Sequence, residues 1–563
     1  MSKHYITSRF LDIDIKSSTL TLNVSIYFLL IMNSAFWQSY IDTLDAFSFA
    51  NIIFSFSLLV FLVIATNLIL LLFSFKYLLK PLLIILLLSS ALVSYFMSTY
   101  GIMIDKTMIQ NVAETNPGES LELLSPALLL HFCILGLLPA LVVYKARIHF
   151  DTLPKELLSR LWIVLGSVAL IAVILLVHYK DFVSLSREHR HLRHLINPIN
   201  YVYSLASYAG NTLYAADNTI HPIGTDAHVV LPANNNSKHS LVVLVVGETA
   251  RARNFSLNGY SRDTNPWMRR ENIINFSNAW SCGTNTAVSV PCMFSHLDHN
   301  HYDDDKAKHS ENVLDVLKHA GVNVLWREND SGCKGVCERV EQESMIHMNI
   351  AEVCNTEECH DEILLNHLQD RIESLEKDTV IVLHQKGSHG PAYGKRYPEN
   401  FNVYTPTCNT NTLSDCSQQD VINAYDNTIL YTDYFLEQVI SFLKKNSAQF
   451  NAAMIYASDH GESLGENNLY LHGMPYMFAP DEQKHIPFMM WLSQDIEMNN
   501  DISDACLRTH SANEYSHDNL FHSLLGLMNV QTSSYDPSLD IFSSCRTLAQ
   551  TAVNTKSAVG NTR

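Results

Sequence analysis

Five stretches near the amino terminus contain no Asp, Glu, Lys or Arg: Ser17–Ile41, Ala46–Phe75, Pro81–Ile104, Leu123–Tyr144 and Leu161–Tyr179. Each is long enough to carry a helix across a hydrocarbon core about 30 Å thick. Five such runs in succession, with polar spacers, predict a five-helix transmembrane domain over residues 1–180. The first run is too long for a cleaved signal segment and lacks a small-residue cleavage site, so it reads as an uncleaved anchor. Basic residues precede the first run (Lys3, Arg9, Lys16) and fall between the second and third (Lys76, Lys80) and the fourth and fifth (Lys145, Arg147, Lys155, Arg160). The positive-inside rule puts the amino terminus in the cytoplasm, and five crossings put everything beyond about Lys180 outside.

The pattern then changes. Residues 181–230 form a connector, in which Ser186–Leu195 mixes Arg and His with Leu. That segment fits an amphipathic helix on the membrane surface or a solvated linker. Asn234–Asn236 mark a polar turn, and residues 231–550 form the external domain. Within it, short apolar, β-rich runs recur: Leu241–Val246, Val322–Trp326, Thr379–Leu383, Ala453–Ala457 and Ile486–Leu492. They have the character of strands buried on both faces of a parallel sheet. Glu311–His319 and Asp426–Lys444 have helical period and would cover the sheet. The fold class expected is therefore an α-helical membrane domain followed by an α/β domain with a mainly parallel central sheet. The small, polar tail over 551–563 is expected to be disordered.

Charge sharpens this division. The 563 residues carry a net charge of −18. Residues 1–180 hold 11 Lys/Arg and 10 Asp/Glu, and the rest of the chain holds 27 and 46. One part is nearly neutral and lipid-soluble, the other acidic and water-soluble. A disordered chain and a single soluble globule are both excluded. An acidic external domain also argues against nucleic acid as a partner. Of eleven cysteines, Cys133 lies in the fourth apolar run, where it is expected as a lone buried thiol. The other ten fall outside, and in an oxidising compartment they read as disulfides. Short loops make neighbouring pairs the simplest pairing: Cys282–Cys292, Cys333–Cys337, Cys354–Cys359, Cys408–Cys416 and, least securely, Cys506–Cys545. A zinc–thiolate cluster is the competing reading, without any C-x-x-C to support it.

The chemistry sits at the strand ends. Leu241–Val246 is followed by Gly247-Glu248-Thr249, Thr379–Leu383 by His384 and then Gly387-Ser388-His389-Gly390, and Ala453–Ala457 by Ser458-Asp459-His460-Gly461. Open α/β sheets bind ligands at the carboxyl ends of their strands. Oxygen and nitrogen donors without thiolate suit a divalent ion, zinc first and manganese second. Asp459 and His460 are adjacent, and Glu248 would be a third ligand. The segment Ser281-Cys282-Gly283-Thr284-Asn285-Thr286-Ala287 offers hydroxyls on a glycine-containing turn, and a hydroxyl becomes a useful nucleophile when a metal lowers its pKa.

The strings VVGETAR (245–251), NGYSRDTNP (258–266), SCGTNTAVSVPCMFS (281–295), HQKGSHGPAY (384–393) and SDHGESLGENNLYLHGMP (458–475) resemble the lipid A phosphoethanolamine transferases. These are integral inner-membrane enzymes of Gram-negative bacteria within the alkaline phosphatase superfamily, and they include the chromosomal and mobile colistin-resistance enzymes. The resemblance implies that Thr286 is the nucleophile, with Glu248, Thr286, Asp459 and His460 as zinc ligands. His389 and His472 match histidines that bind the donor phosphate or a second zinc. Ser331 and Lys334 match polar residues of the substrate pocket. Asn111, Thr115 and Glu119, in the loop between the third and fourth runs, match positions that contact the donor headgroup. Ser289 and Thr284 read as structural hydroxyls, with Thr284 the reserve nucleophile.

The activity so implied is transfer of phosphoethanolamine from phosphatidylethanolamine to a lipid A phosphate by a monomer in the inner membrane, with its catalytic domain in the periplasm. Three readings compete: a different acceptor (core oligosaccharide or protein), another superfamily hydrolase or polymerase, and a non-enzymatic receptor for zinc or phosphate. The sulfatase signature C-x-P-x-R is absent, since Met293 and Phe294 follow Cys292.

Overall fold

The structure is a computed structural model that describes residues 14–546 apart from 45–47, 116, 215–218, 231–237, 347, 349, 356–357 and 374. Lys3, Arg9, the turn at Asn234–Asn236 and the tail over 551–563 lie outside the described residues. The chain divides into two compact units, Met1–Ile109 with Leu124–Ala209, and Gln110–Leu123 with Gly210–Arg563.

In the first unit, four helices among the described residues are long and apolar enough to cross a membrane: Phe49–Leu72, Leu79–Tyr100, Pro126–Lys145 and Leu153–Val177. The first apolar run is not one straight helix. It forms Ser17–Ile31 and Ser34–Asp42, bent by 52°, and the pair makes a fifth span if counted as one. A break inside a membrane must have its freed backbone groups satisfied within the protein. Two side chains do this, Trp37 Nε1 donating to Leu29 O at 2.6 Å and Asn197 Nδ2 to Met32 O at 3.3 Å. Cys133 is exposed rather than buried. It lies on an outward face, where apolar side chains are as stable in lipid as in a protein core. The segment Ser186–Leu195 is helical but broken at His189, between a helix Tyr179–Glu188 and a short 3-10 turn Arg190–Leu195. A further helix, Ile199–Tyr214, follows it.

The second unit is built on an eight-stranded sheet. Its strands are β1 (His239–Gly247), β2 (Ile273–Trp280), β3 (Asn323–Glu328), β4 (Glu341–Ser344), β5 (Thr379–His384), β6 (Phe450–Ser458), β7 (His485–Leu492) and β8 (Tyr515–Ser516), in the order β8-β2-β7-β6-β1-β5-β3-β4. β1 pairs in parallel with both β5 and β6. β7 is antiparallel to β6 and β2, which corrects the expectation of a parallel strand over Ile486–Leu492. β2 was not foreseen, because Asn275, Ser277 and Asn278 interrupt its apolar positions.

Alternation along β1 feeds two cores. Val242, Leu244 and Val246 join one face, with Val316, Leu317, Leu524 and Met293. Leu241, Val243 and Val245 join the other, with Tyr425, Ile429, Val439 and Leu443 of the long helix Gln418–Asn446. Burial on both faces fixes the register, since a slip of one residue would exchange the two cores. The ten external cysteines form Cys282–Cys292, Cys333–Cys337, Cys354–Cys359, Cys408–Cys416 and Cys506–Cys545.

Candidate active site

The register of β1 on β6 sets Gly247 opposite Ser458. Glu248 and Asp459 are the first residues past these strands, so they emerge side by side. The amide of Asp459 donates to Gly247 O at 2.9 Å and holds the two exits together. Thr286 arrives from elsewhere, as the first residue of the helix Thr286–Phe294. Asn285 caps that helix, accepting from Val288 N at 3.1 Å, and Cys282–Cys292 ties the preceding turn to its last turn. A helix amino terminus favours negative charge, so Thr286 stands where a phosphate is welcome. The loop after β5 presses against Glu248 through Gly387. A Cβ there would lie 2.6 Å from Glu248 O, and φ is +53°. Only glycine fits both conditions.

The side chains converge. The Thr286 hydroxyl donates to both Glu248 oxygens at 3.3 Å and lies 3.5 Å from His460 Nε2. His460 Nε2 is 3.2 Å from Asp459 Oδ2 and 3.6 Å from Glu248 Oε1. His460 Nδ1 faces Gly461 O at 2.9 Å and carries the proton, which leaves a lone pair on Nε2. Asp459 Oδ1 accepts from the amides of Thr249 at 3.1 Å and His460 at 2.7 Å. Asp459 Oδ2 is buried without a hydrogen-bond partner. Glu248, Asp459 and His460 each present a ligand atom within 4.8 Å of the others. A buried carboxylate oxygen with no partner, beside an imidazole lone pair and a hydroxyl, fits a divalent cation.

Without an ion the cluster is strained electrostatically. Burial, with Asp459 and Asp330 nearby, raises the pKa of Glu248 well above the carboxylate range. Burial pushes Asp459 up to about 6, against the pull of the backbone amides. Burial, reinforced by His472, pushes His460 well below the usual imidazole value. Glu248 and Asp459 would thus give up protons to a metal, while His460 already presents the neutral imidazole that a metal binds.

His472 and His389 stand beside this cluster. The His460 and His472 rings are 4.3 Å apart, and those of His389 and His472 are 5.9 Å apart. Burial opposes charge on His472, but Glu462 outweighs it and the pKa is raised. His389 is pushed well below its usual value, chiefly by burial, and its Nδ1 has no hydrogen-bond partner.

The remaining expected residues lie further out. Lys334 Nζ donates to Ser331 Oγ at 3.0 Å and to Glu114 O at 3.3 Å. Both line a cavity of about 440 Å³ with Glu114, Lys308 and Arg339. Glu119 is buried and paired with Lys386 at 3.4 Å, beside a second cavity of about 440 Å³ that Asp330 also lines. The Thr115 hydroxyl donates to Asn111 O at 2.6 Å. No hydrogen bond joins Asn111 or Thr115 to the Thr286 cluster among the described residues. The Thr284 hydroxyl donates to Met474 O at 2.6 Å, so of the two threonines it is Thr286 that faces the Glu248 carboxylate. Four residues near the site were not singled out in the sequence as site residues: Asp330, His384, Lys386 and Glu462. His384 and Glu462 stand in the polar runs that follow buried strands, which is a signal for those two, and the other two have none.

The chain is similar to known proteins along most of its length. One family model, described as phosphoethanolamine transferase EptA/EptB, matches residues 62–213, and another, described as sulfatase, matches 240–530. The chain is 41% identical over 531 residues to phosphoethanolamine transferase EptA of Escherichia coli K12, covering 94% of this chain and 97% of that one. It is 42% identical over 471 residues to phosphatidylethanolamine transferase Mcr-1 of Escherichia coli, covering 82% and 85%. Its structure is similar to that of the integral membrane lipooligosaccharide phosphoethanolamine transferase A of Neisseria meningitidis, with a TM-score of 0.91, 39% identity, and coverage of 94% and 99%.

Proposed function

The chain belongs to the phosphoethanolamine transferase family, and from that membership we propose that it carries phosphoethanolamine from phosphatidylethanolamine to a lipid A phosphate through a covalent phospho-threonine at Thr286. Similar proteins are named for the donor lipid and for a lipooligosaccharide acceptor. The observation that carries the residue assignment is the placement of Thr286 Oγ1, 3.3 Å from both Glu248 oxygens and 3.5 Å from His460 Nε2, at a helix amino terminus.

Glu248, Thr286, Asp459 and His460 would hold the metal, zinc in this reading, which supplies positive charge that favours the threonine alkoxide. In the first half-reaction the bond from Thr286 Oγ1 to phosphorus forms, and the bond from phosphorus to the diacylglycerol oxygen breaks. The Thr286 proton leaves through a Glu248 oxygen. His472, with Nδ1 held by Glu462 at 2.8 Å, gives a proton from Nε2 to the departing diacylglycerol oxygen. In the second half-reaction an oxygen of the lipid A phosphate bonds to phosphorus and passes its proton to the now neutral His472, while the bond from phosphorus to Thr286 Oγ1 breaks and Glu248 returns its proton to that oxygen. Covalent catalysis thus divides one difficult displacement into two.

His389, Ser331 and Lys334 bind donor phosphate oxygens in this scheme, and Asn111, Thr115 and Glu119 receive the headgroup. The chain is a membrane protein with a periplasmic catalytic domain. We place it in the inner membrane as a monomer with its amino terminus in the cytoplasm. The ethanolamine cation reduces the negative charge of the outer surface and weakens attraction of polymyxin and other cationic peptides. The test is incubation of the full-length protein with headgroup-labelled phosphatidylethanolamine, followed by intact-protein and lipid A mass spectrometry. Label should appear on Thr286 and then on lipid A, survive in Thr286→Ser and vanish in Thr286→Ala. Labelled lipid A from the alanine variant would overturn the nucleophile. Labelled core sugar or protein would move the acceptor, and a protein that never takes up label would be a receptor.

A further inference from the structure

Besides the set that contains Asp459 and His460, a second set of donors shares Glu248. Glu248, Asp330 and His384 each offer a ligand atom within 4.8 Å of the others, and all three are buried. We propose that Glu248, Asp330 and His384 form a second divalent-cation site, with the Glu248 carboxylate common to both ions.

Unpartnered atoms point to a ligand here. His384 is 0% exposed, and neither ring nitrogen has a hydrogen-bond partner. An imidazole in either tautomer carries at least one N–H donor, so such a ring in a dry interior is rarely left unsatisfied. Its nearest carboxylate from β3 is Glu328, with Oε2 3.9 Å from Nδ1. An imidazole that turns Nδ1–H toward a carboxylate and offers Nε2 to a metal is the common outer arrangement of metal-bound histidine. His460 shows the same polarity, with Nδ1 on a carbonyl and Nε2 toward the Thr286 cluster. Asp330 is 1% exposed. Its Oδ2 accepts from Ser331 Oγ at 3.0 Å, while Oδ1 has no hydrogen-bond partner.

Charge argues the same way. Glu248, Asp459 and Asp330 crowd one buried volume, and an ion at the first set answers only two of them. Lys386 is nearer Glu119, at 3.4 Å, than Asp330 Oδ1, at 3.9 Å. Its contact with Asp330 Oδ1 is an ion pair without a hydrogen bond. Two carboxylates and one imidazole suit zinc or manganese. Two ions that share a carboxylate are a recurrent arrangement in phosphoryl-transfer sites. The neighbouring Lys386 ammonium makes this site the weaker of the two. His389 and His472 are not part of it.

The test counts and locates ions in the detergent-solubilised full chain, independently of transfer. Wild type saturated with Zn²⁺ should hold two ions per chain by elemental analysis. Anomalous diffraction at the zinc edge should show one peak within reach of Glu248, Asp459 and His460, and a second among Glu248, Asp330 and His384. Dialysis should remove the second ion first. Asp330→Asn and His384→Gln should each hold one ion fewer, while Asp459→Asn removes the first. A saturated wild-type crystal with one peak, its His384 ring against Asp330 as an ion pair, would overturn the proposal without any variant. So would a second ion placed between His389 and His472 with its count unchanged in His384→Gln. Loss of the Asp459 peak together with retained transfer would instead overturn the catalytic reading.

Discussion

Nδ1 of His472 lies 2.8 Å from Oε2 of Glu462, and the other Glu462 oxygen accepts the Tyr393 phenol at 2.6 Å. Glu462 is itself fully buried. A carboxylate locked by a phenol thus orients an imidazole whose ring is 4.3 Å from that of His460. Three residues after Asp459, the chain supplies the group that sets both the tautomer and the charge of His472.

Glu462→Gln should therefore act through His472. With the carboxylate gone, burial dominates and the pKa of His472 falls. The limb of the pH–rate profile that needs protonated His472 should move to lower pH, and kcat should drop about 10- to 100-fold, the usual cost of losing an orienting partner. His472→Ala should cost about 10²- to 10⁴-fold, the ordinary range of general acid catalysis. An unshifted limb in Glu462→Gln would remove the proton-donor role from His472.

Gly387→Ala tests the fit of the β5 loop against Glu248. The new methyl would lie 2.6 Å from Glu248 O and 3.0 Å from Glu248 N, and neither backbone atom can yield cheaply. Glu248 should be displaced, with loss of bound metal and about a 100-fold drop in transfer, as expected when a reacting group moves by about 1 Å. Gly321→Ala is the control, because Gly321 also has positive φ, +86°, but open space around it. It should keep both metal and activity. Equal losses in the two variants would mean that backbone strain alone is responsible.

Much of this site was legible in the sequence because of where burial falls. β1, β5 and β6 are covered on both faces, so they read as unbroken apolar runs, and Glu248, Asp459 and His460 follow directly as the first polar residues. The direction of β7 was not legible, since an apolar run carries no mark of parallel or antiparallel pairing. The bend at Asn33 was hidden inside a run without charge. The charge partners of the loop after the third membrane run were not legible either. Its partners are far away in the chain: Glu119 meets Lys386, and Glu122 meets Arg396. Asp330 was missed for the same reason, because its unpartnered oxygen exists only once β3 lies beside β5.

Arg396 makes a further prediction. Its side chain is wholly buried, pairs with Glu122 and Glu358, and donates through Nε to His389 O at 2.8 Å. Arg396→Ala should leave two largely buried carboxylates without a counter-charge, at a cost of about 3–5 kcal/mol. Adding Glu122→Gln and Glu358→Gln should recover much of that loss. Thermal unfolding of the full chain checks both. No recovery in the triple variant would show that the guanidinium acts by packing and by its bond to His389 rather than by charge.

Metal removal should couple to pH through Glu248 and Asp459. In the metal-free protein both bind protons more tightly than in an unfolded chain, Asp459 with its pKa up to about 6 and Glu248 well above the usual range. A carboxyl raised on folding favours the folded state while it is protonated, and that contribution is lost as pH rises through the folded pKa. The chelated protein should therefore lose stability, relative to the metal-loaded protein, as pH rises past about 6. Below that, protons compete with the metal for the same oxygens, and affinity should fall. Thermal unfolding with chelator or with zinc, at pH 5 and pH 8, gives a direct reading. The gap between the two melting temperatures should be small at pH 5 and widen at pH 8. In Asp459→Asn the gap should shrink at both pH values, because that variant loses a ligand of the ion. A gap independent of pH in the wild type would mean that the ion does not replace protons on these carboxylates, and would place it elsewhere in the protein.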